Sequence, residues 1–189
     1  MNGNRIIVGI SGASGAIYGL RCLEMLRRAG VETHLVVSRA GELTLRTECG
    51  YGLRDLEPRC DVLHPIGNVG ATIACGSFRT RGMIVVPCSI RTLSEITHGM
   101  TSTLLTRAAD VTLKESRRLV LMVRESPLHV GHLRTMTAAA EMGAIIAPPM
   151  PAFYNNPTSI DDLVSHSVGR ALDLFGIETA IARWPGLAP

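Results

Sequence analysis

The chain has 189 residues, of which 46% are hydrophobic and 19% charged, and a charge fraction below the usual ~25% suggests that subunit contacts cover part of its surface. Its length fits one domain, its net charge of +3 argues against nucleic-acid binding, and neither a membrane span nor a signal peptide is expected. Five scattered cysteines, an odd number with no C-x-x-C pair, favour a reduced, cytoplasmic protein.

The first predicted strand leads into a turn of small residues. The apolar run 5–10 predicts a buried strand, and apolar residues recur at helical spacing over 17–26. Between them stands Gly-Ile-Ser-Gly-Ala-Ser-Gly-Ala-Ile-Tyr-Gly (9–19). Such a turn at a helix N-terminus lets backbone N–H groups approach an anion, and the hydroxyls of Ser11 and Ser14 add donors. The turn therefore predicts a phosphate-binding site.

The glycine spacing indicates which phosphate is bound. Gly9, Gly12 and Gly15 give G-x-x-G-x-x-G, whereas the dinucleotide fingerprint is G-x-G-x-x-G with an acidic residue after the second strand. Here the second strand, 33–38, ends in Ser38, which can donate a hydrogen bond to a phosphate, and no G-K-[ST] motif follows. The pattern favours a mononucleotide such as FMN over NAD. A tight strand-to-helix connection without a ligand is the alternative.

The rest of the chain alternates between strands and helices. We expect a helix over 39–48, an irregular region over 49–81, a strand over 82–87, a helix over 102–115, a strand over 118–124, a helix over 129–142, a strand over 144–147, a Pro-rich loop over 148–157, and a helix capped by Thr158 or Ser159. Buried strands that alternate with helices predict an α/β fold of one domain, 1–189. Its architecture is three-layered and Rossmann-like (flavodoxin-like), with a mainly parallel sheet covered by helices on both faces.

Polar residues at strand ends are the candidate site, because ligands of such sheets bind beyond the carboxyl ends of the strands. They are Ser38, the segment 88–92, and Arg124 with Glu125. An arginine beside a glutamate at a strand mouth needs a partner or a ligand, and a purely structural ion pair is the alternative. Lys114 is the one lysine among 19 basic residues. A compact point charge so close in sequence to Arg124 suggests a role, although chance or a solvated helix face explains it equally well.

Two other groups of residues, a histidine pair and a cysteine beside a serine, do not predict a functional site. His129 and His132 lie three residues apart, but two histidines without a third ligand do not predict a metal site. Cys88 stands beside Ser89, and no histidine or acid can be assigned to it as the partner of a nucleophile. We therefore expect no metal and no cysteine nucleophile.

Together these motifs resemble the flavin prenyltransferases, the UbiX-like family, over 5–184. The matching segments are the turn 9–19, His34-Leu-Val-Val-Ser38, Gly76-Ser-Phe78, Pro87-Cys-Ser-Ile-Arg-Thr-Leu93, Leu105-Thr-Arg-Ala-Ala-Asp-Val111, Leu113-Lys-Glu115, Arg124-Glu-Ser-Pro-Leu-His129 and Pro149-Met-Pro-Ala-Phe-Tyr154. The departures are mild: Arg91 stands where the family often has lysine, and Asn155-Asn156 follow the tyrosine.

The resemblance implies an enzyme that joins a dimethylallyl group from dimethylallyl phosphate to N5 and C6 of reduced FMN without a metal. It further implies a dodecamer and a separate UbiD-type decarboxylase that receives the prenylated FMN. It does not fix the pathway or whether the donor is the monophosphate or the diphosphate.

The resemblance also implies roles for individual residues. The FMN ligands would be Gly12, Ala13, Ser14, Ser38, Ser89, Ile90, Arg91, Thr92 and Arg124. The prenyl phosphate ligands would be Lys114, Arg124, Tyr154 and Arg170, with Arg107 nearby. The catalytic residues would be Glu48, Lys114, Arg124 and Glu125, with either Glu125 or the released phosphate accepting the final proton.

Two other functions remain as alternatives. An FMN-dependent cysteine decarboxylase of related fold would rely on a catalytic histidine near the first helix, but the first histidine of this chain is His34, inside the second predicted strand. A non-catalytic FMN-binding protein would leave a set of polar residues without a function, namely Lys114, Arg124, Glu125, Tyr154 and Arg170.

Overall fold

A computed structural model describes residues 3–186, and a six-stranded sheet lies at its centre. The strand order is β3-β2-β1-β4-β5-β6, and all five neighbouring pairs are parallel. The strands are β1 Arg5–Ile10, β2 Glu32–Val37, β3 Val62–His64, β4 Gly82–Cys88, β5 Arg118–Val123 and β6 Ala144–Ile146. The predicted Rossmann-like α/β sheet is confirmed, since this is the strand order of that fold.

The central strands are apolar on both sides because helices cover both faces of the sheet. In β4 all seven residues are buried, and in β1 only Arg5 is partly exposed. Val8 of β1 pairs with Leu35 of β2 and with Ile84 of β4. Register therefore brings apolar side chains together across the middle of the sheet.

Seven helices form the two outer layers of the part of the chain that the structure describes. They are α1 Ala16–Arg28, α2 Arg39–Cys49, α3 Leu53–Leu56, α4 Ile90–Thr97, α5 Leu104–Lys114, α6 Val130–Glu141 and α7 Ile160–Asp173. Side chains of α1, α2, α3 and α7 join one hydrophobic cluster, and those of α4, α5 and α6 join the other. Over residues 3–186, no helix has the length and apolar character that crossing a membrane requires.

The structure differs from the sequence-based expectation in two regions, and it decides between the two proposed caps of α7. The region 49–81, expected to be irregular, contains α3, β3 and two 3₁₀ turns at Glu57–Arg59 and Thr72–Ala74. The segment after β4 forms α4, which was not expected. Of the two proposed caps of α7, Ser159 is the one observed, and its hydroxyl accepts the N–H of Asp162.

A buried serine joins the turns that follow β1 and β4. The Ser11 hydroxyl donates to the Pro87 carbonyl (2.9 Å) and accepts the Ser89 N–H (2.8 Å). The expectation that Ser11 offers a free donor is therefore wrong, because the side chain is fully buried and engaged. These two hydrogen bonds hold the turn after β1 against the turn after β4. The two strands are neighbours at the point where the winding of the sheet reverses.

Candidate functional site

A cavity of about 350 Å³ lies beyond the carboxyl ends of the strands, at the point where the winding reverses. It is lined by the turns after β1, β2, β3 and β4 and by the start of α5, through Gly12, Ser38, Arg39, Ala40, Ile66, Gly67, Ser89, Arg91, Thr92, Glu95, Ser102, Thr103, Leu105 and Thr106. Parallel α/β sheets bind their ligands at this position, and the volume suits a small organic molecule.

Two helices begin at this cavity and direct their first N–H groups towards it. Ser38 is the N-cap of α2, where its hydroxyl oxygen accepts the Gly41 N–H (3.0 Å) and so keeps its hydrogen for a ligand. Ser89 is the N-cap of α4, where its hydroxyl accepts the Thr92 N–H (3.2 Å) and donates to the Thr92 hydroxyl (3.1 Å). The first N–H groups of a helix have no partner within it, so both helix ends favour an anion.

Glycine at position 12 permits the close packing that brings α2 to the cavity. A Cβ atom there would lie 2.3 Å from the Ala40 Cβ and 3.0 Å from the Ala40 carbonyl carbon. At Gly41 a Cβ would lie 2.6 Å from the Ile10 carbonyl oxygen. The first turn of α2 therefore packs directly against the end of β1.

The N-terminus of α1 already has an anion, which is the carboxylate of Glu48. One Glu48 oxygen accepts the N–H groups of Gly15 and Ala16, both at 2.8 Å. Partial burial raises the pKa of Glu48, but these bonds, a bond from Ser14 and the charge of Arg124 outweigh it and hold the pKa below its ordinary value. The donors that remain for a ligand phosphate thus belong chiefly to α2 and α4.

Arg124 and Glu125 follow β5 at the same edge of the sheet. The Arg124 N–H donates to the Cys88 carbonyl (3.0 Å), while its side chain is exposed and its positive charge acts on Glu48. Glu125 is exposed, and its carboxylate accepts the N–H of Ser126 (3.0 Å). Ser14, Glu48 and Arg124 therefore form one polar group beside the turn after β1.

Arg107 and Lys114 lie on α5, and the second of them is far from Arg124. Arg107 pairs with Asp110 (2.7 Å), and Lys114 pairs with Glu115 (2.5 Å). Lys114 ends α5 just before the first residue of β5, whereas Arg124 follows the last. The six residues of β5 span roughly 20 Å, so one chain does not bring Lys114 and Arg124 together.

Tyr154 and Arg170 meet at a second cavity, of about 250 Å³, between α7 and the C-terminal segment. Its other lining residues are His166, Ala182, Arg183 and Trp184. Arg170 pairs with Asp173 (2.7 Å), which also receives two bonds from Arg183. Among the residues that the structure describes, none lines both this cavity and the larger one.

The candidate residues thus fall into separate regions of one chain. These are the 350 Å³ cavity at the carboxyl ends of the strands, called the main cavity below, the group around Glu48, helix α5, and the cavity beside α7. Sequence reasoning missed His166 and Asp173, which contact the candidate residues Tyr154 and Arg170. The sequence does contain a signal for His166. It precedes the candidate residue Arg170 by four residues, about one helical turn, so the two side chains lie on the same face of α7.

The two neighbouring histidines have a structural role at the start of α6. His129 is its N-cap, and its Nδ1 accepts the N–H of His132 (3.3 Å). Between residues 3 and 186, the side chains of His, Cys, Asp and Glu form no group of three or more that could hold a metal ion.

The sequence is similar to that of known flavoproteins. The profile of the flavoprotein family matches residues 1–171. Flavin prenyltransferase UbiX of Neisseria meningitidis serogroup B is 55% identical over 185 residues, which cover 97% of this chain and 98% of that protein.

Two solved structures are similar over almost their whole length. AnUbiX (PadA1), crystallised in complex with FMN and dimethylallyl pyrophosphate, superposes with a TM-score of 0.95 at 48% identity, covering 97% of this chain and 98% of the other. The dodecameric, FMN-dependent UbiX-like decarboxylase of Escherichia coli O157:H7 gives a TM-score of 0.93 at 49% identity, covering 97% and 100%.

Proposed function

The chain belongs to the flavoprotein family and, within it, to the flavin prenyltransferases, and we propose that it joins a dimethylallyl group from dimethylallyl phosphate to N5 and C6 of reduced FMN. The observation that carries this proposal is the convergence of the α2 and α4 N-termini on one cavity at the reversal point of the sheet. Two helix ends aimed at one cavity suit a ligand that carries a phosphate.

The residues of the main cavity fit FMN. Ser38 and the first turn of α4, which includes Arg91, would hold the phosphate. Gly12 lines the cavity, and we propose that its neighbours Ala13 and Ser14 in the same turn also contact the flavin. Ile66 and Leu105 supply apolar surface for a ring system. When bound, the reduced flavin supplies the nucleophilic atoms of the reaction.

The leaving phosphate needs positive charge, because the electron pair of the breaking allylic C–O bond goes to it. Arg107, Lys114, Arg124, Tyr154 and Arg170 are the groups we propose for it. Preorganised cations and donors in a site that excludes water stabilise such a charge as it develops.

These groups lie too far apart on one chain to act on one phosphate, so we propose a site shared between subunits of a homo-oligomer. The separation of Lys114 from Arg124 along β5 supports this. So do several exposed apolar side chains, among them Val130, Met150 and Phe153. The similar UbiX-like decarboxylase is a dodecamer, and we propose the same assembly here.

Closure of the new ring at C6 releases a proton. Glu125, whose carboxylate is exposed at the strand end beside Arg124, or the freed phosphate would accept it. Glu48 would serve from its position at the N-terminus of α1, where it stays ionised and orients the turn that carries Ser14.

We further propose that the protein works in the cytoplasm and passes prenylated FMN to a separate UbiD-type decarboxylase. All five cysteines are free thiols, which suits a reducing compartment. The transfer is tested by adding the small-molecule filtrate of the reaction to a cofactor-free decarboxylase of that type and measuring its activity.

The proposed reaction is tested by anaerobic incubation with reduced FMN and dimethylallyl phosphate, followed by mass spectrometry of the flavin. We expect a flavin enlarged by one prenyl unit, together with free phosphate. A parallel reaction with the diphosphate decides the preferred donor, and one with oxidised FMN is the control. If the flavin stays unmodified with both donors, the proposal is contradicted.

A further inference from the structure

The ring of Tyr154 is held on two sides. The imidazole of His166 meets it edge-on at 5.5 Å between ring centroids, and the indole of Trp184 does so at 5.7 Å. The Tyr154 hydroxyl oxygen lies 3.1 Å from Nε2 of His166. Tyr154 is half exposed, whereas His166 is only 5% exposed, so a buried imidazole contacts the one polar atom of a side chain that faces the cavity.

Three charged side chains from two segments surround His166. Two of them, Arg170 and Asp173, lie on α7, and the third, Arg183, lies in the C-terminal segment. The uncharged Tyr154 faces His166 from the loop before α7. Burial and the charge of Arg170 lower the pKa of His166, Asp173 opposes them, and Arg183 lowers it further. The imidazole is therefore neutral near pH 7 and carries a single N–H.

The position of that hydrogen decides what Tyr154 can do. If Nε2 lacked the hydrogen, the tyrosine hydroxyl would donate to it and would have no hydrogen left for another acceptor. If Nε2 carries it, the imidazole donates to the hydroxyl oxygen, and the tyrosine O–H is free to turn towards the cavity. A phosphate accepts hydrogen bonds from a tyrosine hydroxyl. Tyr154 can therefore donate to a phosphate only when Nε2 of His166 carries the hydrogen.

We propose that His166 is a positioning residue whose Nε2–H donates to the Tyr154 hydroxyl and so directs the tyrosine O–H towards the phosphate of the prenyl donor. The inference rests on the proposed function, in which Tyr154 binds that phosphate. His166 acts through Tyr154 and has no contact of its own with the reacting atoms.

The test compares His166→Met, which removes the donor, with His166→Gln, which keeps an N–H at similar reach. Both are made in the full-length, assembled protein, alone and combined with Tyr154→Phe. The readouts are KM for dimethylallyl phosphate, kcat, and the affinity for FMN. Ser167→Ala is the matched control, because Ser167 is a buried polar residue of the same helix whose hydroxyl donates to the Leu163 carbonyl.

We expect His166→Met to raise KM for the prenyl donor roughly three- to tenfold, the effect of one hydrogen bond, with FMN affinity unchanged. His166→Gln should restore most of that loss, and Ser167→Ala should not change KM. In the Tyr154→Phe background, His166→Met should add nothing further, because the hydroxyl it acts on is gone.

An unchanged KM in His166→Met overturns the inference, and so does an equal rise of KM in the Tyr154→Phe background, which would indicate packing alone. If His166→Met does not assemble, His166→Gln decides. Because it keeps an N–H donor, its KM must stay near the wild-type value, and a KM as high as that of Tyr154→Phe overturns the inference. A wild-type protein that forms no prenylated flavin overturns the proposed function, a result distinct from all of these.

Discussion

Replacing Gly12 with alanine tests whether close packing of α2 against the turn after β1 forms the main cavity. The new Cβ would lie 2.3 Å from the Ala40 Cβ, about 1.1 Å short of the 3.4 Å at which ordinary contact begins. The Ala40 carbonyl carbon at 3.0 Å blocks the nearest escape, so the backbone of α2 must move. The first turn of α2 and Ser38 would move with it.

The cost follows from that displacement. Overpacking of this kind costs about 1–3 kcal/mol, and one kcal/mol lowers Tm by about 2–4 °C in a domain of this size. We therefore expect Gly12→Ala to lower Tm by about 2–12 °C at fixed protein concentration. Loss of a charge-assisted bond from the displaced helix end should weaken FMN binding about tenfold or more.

Thermal unfolding followed by circular dichroism and calorimetric titration with FMN give the two measurements. Gly67→Ala is the control, because Gly67 lines the same cavity but its added Cβ would meet nothing within 4 Å. Adding Ala40→Gly to Gly12→Ala removes the closest contact and should restore part of both losses. A Gly12→Ala protein with the wild-type Tm and FMN affinity would refute the packing argument.

Three further results are expected. Lys114→Ala and Arg170→Ala should each abolish product formation but leave FMN affinity unchanged. Co-expression of the two variants should recover activity in mixed oligomers, and verified mixed oligomers without activity would contradict a shared site. Glu48→Ala should lower the free energy of unfolding at pH 7 by about 1 kcal/mol or less, since the carboxylate is largely solvated. Because the pKa of Glu48 is lowered, that difference should shrink as the pH falls through its folded-state value, as urea unfolding from pH 7 to pH 3 would reveal. Burial and the neighbouring His34 lower the pKa of His64, so the unfolded chain takes up that proton first and stability falls as the pH drops below the ordinary value of 6.5. His64→Gln should show a shallower fall in the same titration, and an equal slope would count against this assignment.

Five of the six strands are predictable because strands buried on both faces are unbroken apolar runs. The runs that became β1, β4 and β5 were placed within one residue at each end. The sequence does not predict β3, because this edge strand has only three residues and its first residue is exposed. It therefore shows neither an apolar run nor an alternation of apolar and polar residues. The sequence does not predict α4 either, because its first turn is polar and the helix has only eight residues.

The candidate site was less predictable than the fold. Residues directly after strands, such as Ser38 and Ser89, could be assigned to the cavity because a parallel sheet brings these positions together. The closeness of Lys114 and Arg124 in sequence was misleading, since an entire strand separates them. The contact of Glu48 with the N-terminus of α1 joins positions more than 30 residues apart, and no local pattern reports such a contact.

The short edges of the sheet also constrain how copies of this chain can assemble. β3 and β6 have three residues each, whereas the strands between them have six or seven. A strand of three residues presents too little unpaired backbone to extend a sheet from one copy into the next, which is also how proteins avoid fibre growth. Contacts between copies must then come from side chains of helices and loops. Shape complementarity between such surfaces fixes the angle between neighbouring copies, and the assembly closes at a fixed number of subunits when that angle returns the last copy to the first.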